Sequence, residues 1–155
     1  MNVLKGKFNE NLMIFDMEAS SYEDVIGQLA DLLFEKGYVK ETYKQGVLDR
    51  EKVYPTGLIL GEKNIAIPHT EVSHVNKAAI AVAKLKNPVN FKYMADPNTD
   101  VSVSLVFMMA ISDPKGHIPV LSKIMELVGN QNNIETLIQL NDKSEFRKFI
   151  EKEND

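Results

Sequence analysis

Three histidines, His69, His74 and His117, are the residues of this 155-residue chain with the clearest capacity for chemistry. The chain has no cysteine, which excludes thiol catalysis, disulfides and zinc–thiolate sites. Histidine has an unperturbed pKa of about 6.5, so at neutral pH its ring is mostly uncharged and keeps a nucleophilic nitrogen. Covalent group transfer in a chain without cysteine must use His, Asp, Glu, Ser, Thr, Lys or Tyr. The histidines are therefore the first candidates.

His69 follows the apolar run Ile65-Ala66-Ile67 and Pro68. Pro68 has a fixed φ and biases Ile67 toward an extended conformation. We therefore expect the imidazole at the rigid end of a strand, pointing out of the sheet, where a partner protein could reach it. The alternative is an ordinary histidine in a surface loop.

His117 and Arg50 are the next candidates. His117 precedes an apolar helical stripe, so it is predicted near a helix N-terminus, where the dipole disfavours a cationic ring and attracts phosphate. Arg50 is predicted at the end of a helix, where its planar fork of N–H donors could steady a phosphoryl group. The alternatives are a solvated loop histidine and a surface charge paired with neighbouring acids.

His74 is predicted to be a solvated loop residue. A zinc site requires at least three protein ligands; His69, His74 and Glu71 could supply them, but their spacing matches no metal motif. The chain lacks GxGxxG, GxxxxGK[ST] and GxSxG, which counts against nucleotide-dependent and serine-hydrolase functions. The sequence predicts no cofactor and no metal.

The elements that must position these residues begin with a short strand over 12–15 and a helix over 21–36. Ser20 and Glu23 have the spacing of a capping box, and Gly37 is placed to end this helix. A second helix is predicted over 40–52.

The rest of the chain is predicted as a group of strands followed by three helices. The strands are placed at 57–61, 65–67, 78–85 and 101–111, and the helices at 121–128, 132–140 and 142–151. This order is not a regular βαβα alternation. It indicates a mixed sheet with helices on both faces.

Length and charge restrict the function further. A chain of 155 residues predicts one domain, 1–155. Lys+Arg minus Asp+Glu is 18 − 22 = −4, which argues against nucleic-acid binding. No apolar run approaches the ~20 residues of a membrane span, and residues 1–10 lack the apolar core of a signal peptide. We expect a cytoplasmic protein.

The segment from Thr56-Gly57-Leu58 through Asn64-Ile65-Ala66-Ile67-Pro68-His69-Thr70-Glu71 resembles the phosphorylation-site signature of enzyme IIA of the bacterial phosphoenolpyruvate-dependent sugar phosphotransferase system (PTS), mannitol/fructose type. Arg50 and His117 stand at the arginine and the second histidine of this family. The likeness extends from about residue 10 to 150. Three segments are most similar to the galactitol-specific IIA branch: Tyr54–Leu58, Pro68–Glu71 and Asn87–Met94.

The resemblance implies a three-layer α/β/α sandwich around a mixed β-sheet, and a phosphotransferase that carries a phosphoryl group. His69 would accept the group from the phosphorylated histidine-containing phosphocarrier protein HPr, as a tele-phosphohistidine. His117 would stabilise the phosphoryl group and Arg50 would offset its charge. The PTS IIB component would accept the group next. A separate IIC membrane protein would handle the sugar, so no direct sugar binding is expected.

Two other functions are open at this point. Some relatives resemble this chain but act as regulatory phosphoacceptors, which bind and control other proteins without feeding a transporter. A metallohydrolase using His69, His74 and His117 is the third possibility. The galactitol-like segments favour the transport role.

Overall fold

The computed structural model describes residues 4–153; the ends of the predicted 1–155 domain, residues 1–3 and 154–155, lie outside this part. The order is a strand, two helices, a group of strands and three helices, as the sequence predicted. In chain order the elements are β1 (Phe8–Met17), α1 (Tyr22–Glu35), α2 (Tyr43–Val53), β2 (Gly57–Leu58), β3 (Asn64–Ala66), a 3₁₀ turn (Val72–His74), β4 (Ala79–Tyr93), β5 (Asp96–Ala110), α3 (His117–Val128), α4 (Gln131–Gln139) and α5 (Lys143–Glu153).

The sheet is mixed and is built on the antiparallel hairpin of β4 and β5. β1 runs parallel to β4 and β3 runs parallel to β5. β2 pairs antiparallel with β3 and also meets the end of β4. β5 begins at Asp96, before its predicted start at 101. β4 extends past its predicted end at 85, because the pattern was interrupted by Pro88. This residue lies in the register gap between Lys84 and Val89, where a proline without an N–H is tolerated.

Helices cover both faces of the sheet, and the predicted three-layer α/β/α architecture is confirmed. α1 and α2 bury their apolar sides against one face, while α3, α4 and α5 cover the other. Alternate residues of β4 serve the two faces: Ala81 and Ala83 point toward α1 and α2, and Ile80 and Val82 toward α3–α5. Burial on both faces explains the nearly continuous apolar run of the central strands.

The helix that was predicted over 21–36 begins with a capping box one residue later than expected. Ser21, not Ser20, is the N-cap, and its Oγ accepts from the backbone N–H of Asp24 at 3.1 Å. The Asp24 carboxylate accepts in return from the N–H of Ser20. At the other end Gly37 has a φ of +84°, the left-handed conformation that ends helices. Among the described residues, no helix is long and apolar enough to cross a membrane.

Lys84 ties the sheet to the helical layer of α3–α5. Its side chain is almost completely buried (6% exposed), and its Nζ donates to the carbonyl oxygens of Ile138 and Leu140 at the end of α4, at 2.8 and 2.7 Å. The ammonium also lies 4.5 Å from the ring centre of Phe15. A cation at a helix C-terminus is favourable because it meets carbonyls that have no partner within the helix.

We expect Lys84→Met to lower the free energy of unfolding by about 2–3 kcal/mol, because two buried carbonyls lose a charged donor. Chemical denaturation measures the change. Lys86→Met is the matched control, because Lys86 lies on the same strand as Lys84. This variant removes an exposed ion pair between Lys86 and Glu18, worth less than about 1 kcal/mol. Equal losses in the two variants would contradict the role assigned to Lys84.

Candidate active site

The parallel pairing of β3 and β5 brings the predicted site residues together. His69 follows β3 and His117 follows β5, and parallel strands end at the same edge of a sheet. The centres of the two imidazole rings are 5.3 Å apart, with 38° between their planes. Arg50, in the last turn of α2, joins them from the other helical layer. These three residues line one cavity of about 190 Å³ together with Thr70 and Glu71.

The backbone holds His69 at the strand end, as the sequence predicted. His69 forms a parallel bridge with Met109 of β5, and the Met109 N–H donates to the carbonyl of Pro68 at 3.0 Å. The ring nitrogen Nδ1 lies 2.9 Å from the carbonyl oxygen of Ile67. A carbonyl oxygen only accepts, so Nδ1 carries the proton. In the neutral ring Nε2 then holds the lone pair.

Both histidines of the cavity favour the neutral form. Burial lowers the pKa of His69 to about 4, the positive charge of Arg50 and the nearby His117 act in the same direction, and the hydrogen bond to Ile67 opposes them. Burial also lowers the pKa of His117, with a further contribution from Arg50. His117 Nε2 donates to the carbonyl of Thr70 at 3.2 Å. Two uncharged rings therefore stand beside one cation.

The Arg50 guanidinium is held without a salt bridge among the described residues. Its Nε is buried and has no hydrogen-bond partner there, and its guanidinium carbon lies 5.2 Å from the ring centre of Tyr54. The acids that flank Arg50 in the chain are engaged elsewhere: Asp49 accepts from Gln45, and Glu51 accepts from Thr56. Arg50 therefore brings positive charge to the cavity that it lines.

His74 lies outside this cavity, in the connection between β3 and β4 where a loop residue was predicted. It is half-buried at the end of the 3₁₀ turn, and its Nδ1 is hydrogen-bonded to the hydroxyl of Thr42 at 2.8 Å. It lines an adjoining groove of about 310 Å³ that shares Arg50 with the cavity. In the described part of the chain, no group of three or more His, Cys, Asp or Glu side chains is arranged to hold a metal ion.

The sequence analysis missed the buried polar pair beneath the cavity, Glu51 and Thr56. Glu51 is 4% exposed and Thr56 is 3% exposed. The Glu51 carboxylate accepts from the Thr56 N–H at 2.7 Å and from its hydroxyl at 2.9 Å. Burial raises the pKa of Glu51 to about 7, although the Thr56 hydrogen bonds oppose this rise. The signal in the sequence was the spacing Tyr43, Val47, Glu51, which places an acid on the buried face of α2.

Comparisons with known proteins agree with this geometry. A family model for the phosphoenolpyruvate-dependent sugar phosphotransferase system, EIIA 2, matches residues 7–153. The galactitol-specific EIIA component of Escherichia coli (strain K12) is 32% identical over 130 residues, which is 82% of this chain and 86% of that protein. The transcriptional regulator ManR of Bacillus subtilis is 39% identical over 100 residues, 64% of this chain but 14% of the regulator.

A solved structure shows the same architecture. It is the complex of mannitol enzyme IIA with phosphorylated enzyme IIB from Escherichia coli, and the match has a TM-score of 0.74 and 26% identity, covering 92% of this chain and 97% of that one. The family match over nearly the whole described length and the galactitol relative lead to one conclusion. This chain belongs to the EIIA 2 family of the phosphoenolpyruvate-dependent sugar phosphotransferase system, and it is a phosphotransferase component homologous to galactitol-specific EIIA.

Proposed function

We propose that this chain takes a phosphoryl group from phosphorylated HPr onto His69 and passes it to a IIB component, in a system for galactitol or a related alditol. The observation that carries the proposal is the tautomer of His69: Nδ1 is occupied by the Ile67 carbonyl, so Nε2 is the nucleophile. Beside it lies Arg50, whose buried Nε has no partner among the described residues.

Transfer begins when the Nε2 lone pair of His69 attacks the phosphorus of the donor phosphohistidine. The P–N bond of the donor breaks, and its electron pair returns to the donor ring. The His69 ring gains positive charge as the new P–N bond forms, and the Nδ1–H donation to Ile67 stabilises that charge. In the second transfer a cysteine thiolate of the IIB component attacks the same phosphorus, and the electron pair of the broken P–N bond returns to His69 Nε2.

The remaining task is charge stabilisation, since phosphoryl transfer requires little covalent chemistry from the protein. Arg50 offsets the negative oxygens. Neutral His117 has a single N–H, which it donates to Thr70. To donate to a phosphoryl oxygen it must release Thr70 or take up a second proton, and the arriving negative charge favours that uptake.

Exposed apolar side chains lie near the cavity residues in the chain and suit a partner that binds and leaves. Ile118, next to His117, is 76% exposed, and Val53 and Tyr54, after Arg50 in the chain, are each 63% exposed. A transient interface of modest area fits two successive partners. The solved complex of mannitol IIA with phosphorylated IIB supports the second of these partners.

A regulatory phosphoacceptor is the second candidate, and the similarity to part of ManR favours it. The two functions differ in what happens after His69 is phosphorylated. A transport component loses its phosphoryl group rapidly to a galactitol-type IIB protein, whereas a purely regulatory one keeps it. Mixing the phosphorylated chain with that IIB protein and following both phosphoproteins distinguishes them.

We expect incubation with phosphoenolpyruvate, enzyme I and HPr to phosphorylate His69 alone. The product should be lost in acid and survive in base, as a phosphoramidate does. Mass spectrometry after proteolysis at high pH locates the group. His69→Ala should take up no phosphoryl group. A phosphoryl group on this variant, or one that persisted in acid, would refute His69 as the phosphorylated residue.

His117→Ala should still be phosphorylated at His69, but more slowly. Loss of a preorganised donor costs about a hundred- to a thousandfold in rate; this is an upper limit for His117, which must first release Thr70 or gain a proton, and Arg50 should compensate for part of the loss. His117→Gln should recover some rate because its amide has two N–H donors. His74→Ala is the control, since His74 lies outside the cavity. Stopped-flow measurement of the phosphoryl-transfer rates tests this prediction. A wild-type rate in His117→Ala would show that His117 does not contribute to transfer.

His69 should stay neutral at acidities where an ordinary histidine is charged. Its pKa is lowered to about 4, mainly by burial, so its Hε1 resonance should keep the neutral position on titration from pH 8 to 5. Because the folded-state pKa lies below the unfolded value, this group lowers stability as the pH falls from about 6.5 toward 4. His69→Gln should lose less stability over that range. A midpoint for His69 near pH 6.5 would contradict the prediction.

A further inference from the structure

We propose that Glu51 is a positioning residue for phosphoryl transfer, which acts through Thr56 to hold His69 in its reactive tautomer and orientation. The inference rests on the proposed function, because it takes His69 to be the nucleophile. Glu51 touches neither the cavity nor any surface that a partner protein could reach: it is 4% exposed and does not line the cavity.

A series of hydrogen bonds, linked through the backbone of Ile67, leads from α2 to the imidazole of His69. The Glu51 carboxylate accepts from both the N–H and the hydroxyl of Thr56. The Thr56 hydroxyl oxygen accepts from the N–H of Ile67 at 3.2 Å. The carbonyl of Ile67 in turn accepts from Nδ1 of His69 at 2.9 Å.

These bonds have this direction when Glu51 is ionised, that is, above its pKa of about 7. A carboxylate only accepts, so the single proton of the Thr56 hydroxyl points toward Glu51, and a lone pair faces the N–H of Ile67. Glu51, Thr56 and Ile67 are all buried. Glutamine has only one side-chain oxygen, so in place of Glu51 it could not accept from the Thr56 N–H and the Thr56 hydroxyl with separate oxygens. Its NH₂ group would place a donor where the second carboxylate oxygen now accepts.

Thr56 is itself fixed against the sheet, which makes it a rigid intermediate. The next residue, Gly57, packs so closely on β4 that an added Cβ would lie 2.6 Å from the carbonyl oxygen of Lys92. Glu51 therefore joins the end of α2 to a segment that cannot shift easily. Glu51 directly follows Arg50 in α2. One turn of this helix therefore holds the Arg50 charge at the cavity and, through Thr56, positions His69.

The orientation of Ile67 matters because its carbonyl selects the tautomer of His69. If that carbonyl moves, the proton can occupy Nε2 instead and block the nucleophilic position. A displacement of about 1 Å at a reacting group can cost about a hundredfold in rate. Loss of a residue that orients a metal-ligating side chain typically costs about 10- to 100-fold in activity, and we expect an effect of the same size on a histidine nucleophile.

The experiment compares Glu51→Gln, Thr56→Val and Thr56→Ser with wild type. The first readout is the ¹⁵N shifts of the His69 ring, which report its tautomer without any phosphoryl transfer. The second is the kcat and KM for phosphorylation by phosphorylated HPr. Lys84→Met is the control for lost stability, because it removes buried hydrogen bonds at α4, away from the cavity residues.

We expect Glu51→Gln and Thr56→Val to lower kcat by about 10- to 100-fold with KM unchanged, and to populate the Nε2–H tautomer. Thr56→Ser keeps the hydroxyl and should behave like wild type. Because Glu51 and Thr56 act in series, the double variant Glu51→Gln/Thr56→Val should be no slower than the slower single variant.

An unchanged tautomer and kcat in folded Glu51→Gln and Thr56→Val would overturn the proposal, as would an equal loss in Thr56→Ser or in Lys84→Met. If Glu51→Gln does not fold, the two Thr56 variants decide. If wild-type protein takes no phosphoryl group on His69, the proposed function fails, and the ¹⁵N measurement still decides whether Glu51 sets the tautomer.

Discussion

The parallel pairing of β3 with β5 is the constraint on which the site depends. β3 is only three residues long, yet the register it forms with β5 continues as the bridge between His69 and Met109. Because both strands end at one edge, the loop after β3 and the start of α3 must meet there. The Met109 N–H fixes the chain at Pro68, and the Ile67 carbonyl just before it accepts from His69 Nδ1. The pairing of β3 with β5 therefore sets both the position and the tautomer of His69.

Electrostatics then distinguish Arg50 from the two histidines of the cavity. Burial and the Arg50 cation keep His69 and His117 neutral, so each ring has one nitrogen with a lone pair, and the Arg50 cation beside them can meet an anion. A guanidinium with no salt bridge among the described residues is unfavourable when partly buried. In the proposed function, the negatively charged phosphoryl group would remove that penalty, so binding of the group and relief of the unfavourable charge would occur together.

The site also joins the two helical layers. Arg50 and Glu51 come from α2 on one face of the sheet, and His117 comes from α3 on the other. The Tyr43 hydroxyl donates to the carbonyl of Met109 at 2.8 Å, so α2 is attached to β5 as well as to Thr56, just before β2. A side chain on either layer therefore reaches the cavity only while the sheet between them is intact.

The sequence by itself predicted the candidate residues and most of the elements. The absence of cysteine, the Pro68-His69 strand end and the helical stripe after His117 are local patterns, and local patterns identified His69, His117 and Arg50 as candidates. The order of the elements indicated a mixed sheet with helices on both faces, and the family resemblance implied the three-layer α/β/α sandwich. Only the tertiary structure decided which groups meet. His74 has the same side chain as His69 and lies five residues away, yet it is hydrogen-bonded to Thr42 outside the cavity, because the 3₁₀ turn directs it toward α2.

Glu51 is one of several charged residues of α2 in the sequence. The role proposed for it depends on its contact with Thr56. The Thr56 hydroxyl in turn meets Ile67, 11 positions away in the sequence. Such contacts arise from strand register and helix packing, which no local pattern encodes.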